Sequence, residues 1–230
     1  MTYKIVIPTA GTGSRLGTLT KDTNKALLPI AGKAVISHIL SRFPADKPIV
    51  IPLGYKGENV KEFLLKNHPE RHFKFRTVDP YEGDGSGLGY TMLCCEDLLQ
   101  TPFIFCSNDT IVGGNVPSPD HNWMGYAHVT ETDQYRCLKI SKDGAVEKIC
   151  EKGATEKNIE PYIGLAGIHD YELFWSAMNK NKDIAIATGE SHGLRTLIEE
   201  KTVTAYLFDW HDTGNIAALR ETEAELQNEL

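Results

Sequence analysis

The sequence has no long apolar run, no paired cysteine spacing and no excess of positive charge, and each absence removes a class of protein. Its longest apolar stretches fall well short of the roughly 20 residues that a bilayer-spanning helix needs. Met1-Thr2-Tyr3-Lys4 runs straight into Ile5-Val6-Ile7, without the basic start, apolar core and small-residue cleavage site of a secretory signal. The five cysteines are odd in number. Cys94 and Cys95 are adjacent, while Cys106, Cys137 and Cys150 are scattered through apolar segments, without zinc-ligand spacing. They read as small buried residues of a reducing compartment, so a cytoplasmic location is expected. With 24 basic against 31 acidic residues and a net charge of −7, the chain has no general attraction for a nucleic-acid backbone. Any phosphate must be bound by a few local cations. No membrane or nucleic-acid partner is expected, and homo-oligomerisation stays open.

There is also no linker, repeat or low-complexity tract dividing the 230 residues, a length suited to one core. One domain, 1–230, is expected. Up to about residue 110, short apolar β-type runs alternate with helical periodicity, which is the pattern of βαβ units in a parallel sheet. Strands are expected at 4–8, 49–53, 73–78 and 101–106. Helices are expected around Ile36, Ile39, Leu40 and Phe43, around Val60, Phe63 and Leu64, and over 88–99. Beyond Asp109 the rhythm changes to β-type runs near 122–129, 135–140, 145–150 and 162–168. Helices follow near 170–179 and 190–200, then a strand at 202–208 and a last helix from about Asn215. The fold expected is α/β: a Rossmann-like mixed, mainly parallel sheet flanked by helices. Residues 1–110 would form a nucleotide-binding half and 111–230 an acceptor-binding half.

Gly11-Thr12-Gly13-Ser14-Arg15-Leu16-Gly17 follows the first strand, at the carboxyl end where open α/β sheets bind ligands. Glycines there let backbone N–H groups approach a phosphate. A dinucleotide fingerprint would need glycine at 16, where leucine stands, and no acidic residue marks the end of a second strand. A P-loop fails too, because Gly32-Lys33 is followed by Ala34 and no glycine stands at 27. The longer stretch from Ala10 to Ile36 carries Arg15-Leu16, then Leu19-Thr20, then Lys25-Ala26-Leu27-Leu28-Pro29-Ile30-Ala31-Gly32-Lys33. It resembles the opening of the sugar-phosphate nucleotidyltransferase family, A-G-x-G-T-R-L-x-P-L-T followed by P-K-x-L-L-P-I-x-G-K-P. Thr18, Asn24 and Ala34 stand where that family usually has proline.

The resemblance implies a magnesium-dependent transfer of a nucleoside monophosphate from an NTP to a small phosphorylated acceptor, most often a sugar 1-phosphate. Ala10, Gly11, Thr12, Gly13 and Ser14 would cradle the nucleotide, Arg15 would clamp the leaving pyrophosphate, and Lys25 would stabilise charge at the α-phosphate. Asp109, at a strand end, and Asp212, in Trp210-His211-Asp212-Thr213-Gly214, match the two Mg²⁺ aspartates. Gly83-Asp84-Gly85-Ser86-Gly87-Leu88-Gly89 resembles the family's second nucleotide segment, with Gly85 and Gly87 near the base. Asp79 stands where thymidylyl and uridylyl members carry a base-reading glutamine; it accepts hydrogen bonds but donates no amide N–H. Glu151-Lys152 resembles the E-K-P segment, the glutamate holding acceptor hydroxyls and the lysine the acceptor phosphate. Gly153 replaces the proline, Arg136 sits where many members have glycine, and Gly167 would let the acceptor approach the backbone. Two other readings stand beside this one. A cytidylyltransferase could use a non-sugar phosphomonoester or phosphonate, and a non-catalytic nucleotide-binding subunit would have lost at least one of Arg15, Lys25, Asp109 and Asp212.

Overall fold

The computed structural model describes residues 2–228. In the first half, β1 (Lys4–Val6) leads through a long loop to a tight hairpin, β2 (Pro29–Ile30) and β3 (Lys33–Ala34), and then to α1 (Val35–Leu40). Next come β4 (Ile49–Leu53), α2 (Gly57–Asn67), β5 (Phe73–Thr77), α3 (Leu88–Leu93) and β6 (Phe103–Cys106). β1 pairs parallel with both β4 and β6, and β4 parallel with β5. The order β6-β1-β4-β5 therefore reverses direction at β1. The crevice above the carboxyl ends of β1 and β6 is the switch point where such sheets bind ligands.

The second half contributes β7 (Thr110–Val112), β8 (Asn122–Tyr126), β9 (Cys137–Ile140), β10 (Val146–Cys150) and β11 (Ile159–Ile168). It continues with α4 (Tyr171–Lys180), α5 (Lys182–Thr188), α6 (Ser191–Glu200), β12 (Val203–Leu207), β13 (Trp210–Asp212) and α7 (Ile216–Asn228). The ten-residue β11 joins the halves. It runs antiparallel to β6, β8 and β9.

Both faces of the parallel part are covered, which explains why Ile49–Leu53 and Phe103–Cys106 are apolar throughout. Ile5, Ile49, Ile51 and Ile104 face a cluster with the buried sides of α1, α2 and α7. Val6, Val50, Phe103 and Phe105 face Met92 of α3 and Phe174 and Trp175 of α4. Phe103 meets Phe174 edge-on at 5.5 Å between ring centroids and stacks on Trp175 at 5.7 Å. The expected mixed, mainly parallel sheet is what the chain forms. Several details differ from the sequence reading. The helix expected over 88–99 breaks after Leu93, and a separate single turn follows at Glu96–Leu98. The hairpin β2–β3, α5, β7 and β13 had no recognisable pattern, since elements of two or three residues show no period and Lys182–Thr188 is only two turns long.

Candidate active site

The loop after β1 sets the first part of the site. Gly13 adopts a left-handed backbone conformation (φ 67°), and a Cβ there would lie 3.1 Å from Thr20 Cγ2 and 3.2 Å from Lys25 Cβ. Glycine is required on both counts. Arg15 follows in a 3₁₀ segment, Ser14–Thr20, and Lys25 opens a short turn, Lys25–Leu27. Asn24, in the position where the family pattern has proline, is wholly buried. Its amide donates to the carbonyls of Thr9 (2.8 Å) and Tyr55 (2.7 Å), and its Oδ1 accepts from the N–H of Ala26 (2.9 Å). Asn24 thus caps the turn that carries Lys25 and ties it to the loop after β1.

Asp109 lies just beyond β6. Its Oδ2 pairs with Lys25 Nζ at 2.9 Å and with Arg15 Nη2 at 3.5 Å, and its Oδ1 accepts from Ser107 Oγ at 2.5 Å. Burial alone would push this carboxyl up. Lys25, Ser107 and Arg15 outweigh it and leave the group ionised, at about 2.

Asp212 is 103 residues further along the sequence and is brought in by the small ladder of β13 against β7, which pairs Asp212 with Thr110. The N–H of Thr213 donates to the carbonyl of Asp109 at 3.0 Å. Asp212 accepts from the N–H of Gly214 (2.7 Å) and from the Tyr135 hydroxyl (3.0 Å). Burial and the charge of Asp109 push its carboxyl up, against the pull of those two donors and Arg15. A Cβ built on Gly214 would lie 3.0 Å from Asp212 Oδ1, 3.3 Å from Asp109 Oδ2 and 3.4 Å from Arg15 Nη2. Two carboxylates and a guanidinium therefore converge on one point.

Two cavities meet there, sharing Arg15, Ser107 and Asp109 as walls. The first, about 250 Å³, is bordered by Ala10, Gly11, Lys25 and Gly87, with Tyr81 and Asn108. Of the other residues singled out for the nucleotide, Thr12, Gly13 and Ser14 shape the loop without bordering this cavity. Gly85 and Asp79 are exposed and border neither cavity, and the backbone carbonyl of Asp79 accepts from the Tyr90 hydroxyl at 2.8 Å. Asn108 escaped the sequence reading. It is buried, and neither atom of its amide has a partner.

The second cavity, about 160 Å³, is bordered by Tyr135, Arg136, Lys152, Tyr162, Gly164, Glu190 and Asp212, among others. Lys152 is among them. Glu151 is not among the bordering residues: its carboxylate binds Arg136 Nε (3.1 Å) and Arg195 Nη2 (2.6 Å). Gly167 packs against the indole of Trp123, since a Cβ would come within 2.1 Å of Nε1. The glycine at the cavity wall is Gly164, with φ 71° and Ser107 Cβ only 2.7 Å from where its Cβ would be. Glu190 and Tyr162 were invisible in the sequence, being isolated residues with no spacing to mark them. Both are buried, and burial pushes both groups up, Glu190 to about 7 against the pull of Arg136.

No family model matches the chain, but individual proteins do. It is 32% identical over 221 residues to the bifunctional protein GlmU of Methanocaldococcus jannaschii, covering 91% of this chain and 50% of that protein. It is 26% identical over 114 residues to the UTP–glucose-1-phosphate uridylyltransferase AglF of Haloferax volcanii, covering 48% of this chain and 45% of that one. The chain spans half or less of the length of the first such relatives. Among solved structures, a UDP-glucose pyrophosphorylase in complex with UDP-glucose matches the fold with a TM-score of 0.82 at 19% identity over the full length of both chains. A CTP:phosphocholine cytidylyltransferase from Streptococcus pneumoniae matches with a TM-score of 0.78 at 18% identity, over 98% of this chain and all of that one. The fold is that of solved nucleotidyltransferases. The chain belongs to the sugar-phosphate nucleotidyltransferase family.

Proposed function

We propose that this chain transfers the NMP part of an NTP to a sugar 1-phosphate, releasing pyrophosphate and forming an NDP-sugar. The observation that carries the reading is the pair of cavities joined at Arg15, Ser107 and Asp109, with Lys25 and Asp212 at the junction. The first cavity takes the nucleotide and the second the acceptor, so that residues 1–110 and 111–230 act as the two halves of one site. An acceptor phosphate oxygen attacks the α-phosphorus; that P–O bond forms as the bond to the β-phosphate oxygen breaks. A phosphomonoester with a second pKa near ~6 is largely ionised at neutral pH, so the chain need not supply a general base. Lys25 faces the charge that develops on the α-phosphate and Arg15 that on the departing pyrophosphate.

Asp109 and Asp212 would hold a hard divalent cation such as Mg²⁺, because both carboxylates border the second cavity and Asp109 is ionised at every ordinary pH. Bound there, Mg²⁺ would neutralise the phosphates and hold them in line. Ala10 and Gly11 would approach the phosphates, Gly87 the base, and Lys152 the acceptor phosphate. Among the described residues no helix is long and apolar enough to cross a membrane. A cytoplasmic location belongs to the same reading, supported by five free thiols that are buried or half-buried.

A pyrophosphate-release assay crossing the common NTPs with hexose 1-phosphates and with non-sugar phosphomonoesters tests the proposal. Metal-dependent turnover of at least one hexose 1-phosphate supports it. Turnover of non-sugar acceptors alone would establish the second reading, a transferase for another phosphomonoester, which the engagement of Glu151 by Arg136 and Arg195 favours. No turnover with any pair, alongside NTP binding, would leave a non-catalytic nucleotide-binding subunit.

A further inference from the structure

We propose that Ser107 is a positioning residue for the transfer: its hydroxyl fixes the plane of the Asp109 carboxylate, so that one oxygen serves Lys25 and Arg15 while the other is kept for a divalent cation. This rests on the nucleotidyl-transfer reading of the junction between the cavities. Asp109 Oδ2 pairs with Lys25 Nζ at 2.9 Å and with Arg15 Nη2 at 3.5 Å. Oδ1 is turned to the Ser107 hydroxyl, which donates to it at 2.5 Å, the length of a hydrogen bond from a hydroxyl to an ionised acceptor. Ser107 is half-buried and, like Asp109, borders both cavities.

The hydroxyl is not needed to shape its own turn. That turn is closed by backbone, the N–H of Thr110 donating to the carbonyl of Ser107 at 3.2 Å, and the N–H of Ser107 donates to the carbonyl of Gly164 at 2.7 Å. Gly164 also fixes where the serine Cβ lies, because a Cβ on residue 164 would come within 2.7 Å of it. With its Cβ held against β11, the serine presents Oγ to Asp109 from a fixed point. The carboxylate has no such restraint of its own, since rotation about the Cβ–Cγ bond of an aspartate is soft. Without the serine donor, the two cations that already share Oδ2 would draw in Oδ1 as well. An oxygen that accepts one hydrogen bond keeps a further lone pair for a metal ion, and carboxylates that hold metal ions are ordinarily oriented by such a bond, whose loss costs about 10- to 100-fold in metal affinity or activity.

The test uses the intact chain and three variants: Ser107→Ala, Ser107→Thr, which keeps the hydroxyl, and Ser107→Cys, which keeps a weaker donor. Two quantities are read, steady-state kcat and KM with the best NTP and acceptor, and binding of Mn²⁺ to the chain without nucleotide, followed by electron paramagnetic resonance. Ser107→Ala is expected to weaken Mn²⁺ binding and to lower kcat, each about 10-fold, with both KM values within about threefold of wild type and an unchanged melting temperature. Ser107→Thr should bring both quantities back to within about threefold of wild type. Should its added methyl group beside Gly164 lower the melting temperature, the rank order serine, cysteine, alanine decides instead.

A serine with a merely structural role would move the melting temperature and leave Mn²⁺ affinity unchanged. A serine that touches substrate would raise the KM of NTP or acceptor and again leave Mn²⁺ affinity unchanged. Either result overturns the proposal, as does Ser107→Ala with kcat and Mn²⁺ affinity both within about twofold of wild type. Failure of the underlying reading looks different: the wild-type chain would turn over no pair of NTP and acceptor. The Mn²⁺ affinities of wild type and Ser107→Ala then judge the serine by themselves, equal values overturning its role and a weaker variant supporting it.

Discussion

The two cavities that meet at Asp109 are built in opposite ways. The first rises from loops that follow parallel strands, and its lysine is already held: Lys25 is paired with Asp109 and its turn is capped by Asn24, while the buried amide of Asn108 has no partner among the described residues. The second is assembled from β11, the residues before β9 and after β10, the residue ahead of α6 and the end of β13. On the proposed function, the first would frame a constant ligand, whose phosphates are the same in every NTP, and the second would face the acceptor, which is where members of a family with one chemistry and many acceptors differ.

The comparison fails most plainly if the junction is not where both substrates meet. Asp109→Ala should lower turnover by about 10³-fold, with nucleotide and acceptor affinity both affected because Asp109 borders both cavities; a steady-state profile with near-normal turnover would dissolve the shared site. Lys25→Ala and Arg15→Ala should each cost on the order of 10²-fold in kcat, and Lys25→Ala alone should leave the acceptor KM near wild type, since Lys25 borders only the first cavity.

Asn24→Ala probes the preorganised frame. It leaves two carbonyls and an N–H without their partner, so unfolding in urea should show a loss of about 2–4 kcal/mol. Lys25 would be displaced with it, so kcat should fall as well.

The smallest effect belongs to the second cavity and depends on pH. Glu190 has a folded-state value near 7 against an ordinary 4.5, so the folded protein binds a proton there more tightly than the unfolded chain. Below pH 4.5 the carboxyl is neutral in both states and costs nothing; as pH rises to 7 stability falls, and above 7 the full penalty remains. Glu190→Gln removes that dependence. At pH 8 the variant should be more stable than wild type by up to about 3 kcal/mol, with little difference near pH 4. Equal stability at both values would show that Glu190 is compensated in the folded protein, and would blur the contrast between the cavities.

How far each region could be read from the sequence follows from how it is built. Arg15, Lys25 and the glycines of the first loop lie within a single stretch, so their spacing carries their meaning. Asp109 and Asp212 were legible because each sits in a short motif, though only the ladder of β7 and β13 explains how they meet. Asn24 was legible only as a missing proline; the structure shows a buried cap. Gly164, Tyr162 and Glu190 had no neighbours to mark them. In the same way Gly167 was assigned to the acceptor because it sits near the end of an apolar strand, whereas its environment is an indole ring approaching from β8.

By itself, then, the amino-acid sequence determined the sheet with its two covered faces and the family to which the chain belongs, because these depend on local pattern: apolar runs, glycines at a strand end, and cations at set intervals from them. Only the tertiary structure decided which glutamate borders the second cavity. A glutamate's direction is set by the partners it finds, and for Glu151 these include Arg195, 44 residues away on α6, while Glu190, just ahead of the same helix, is buried at the border of the cavity.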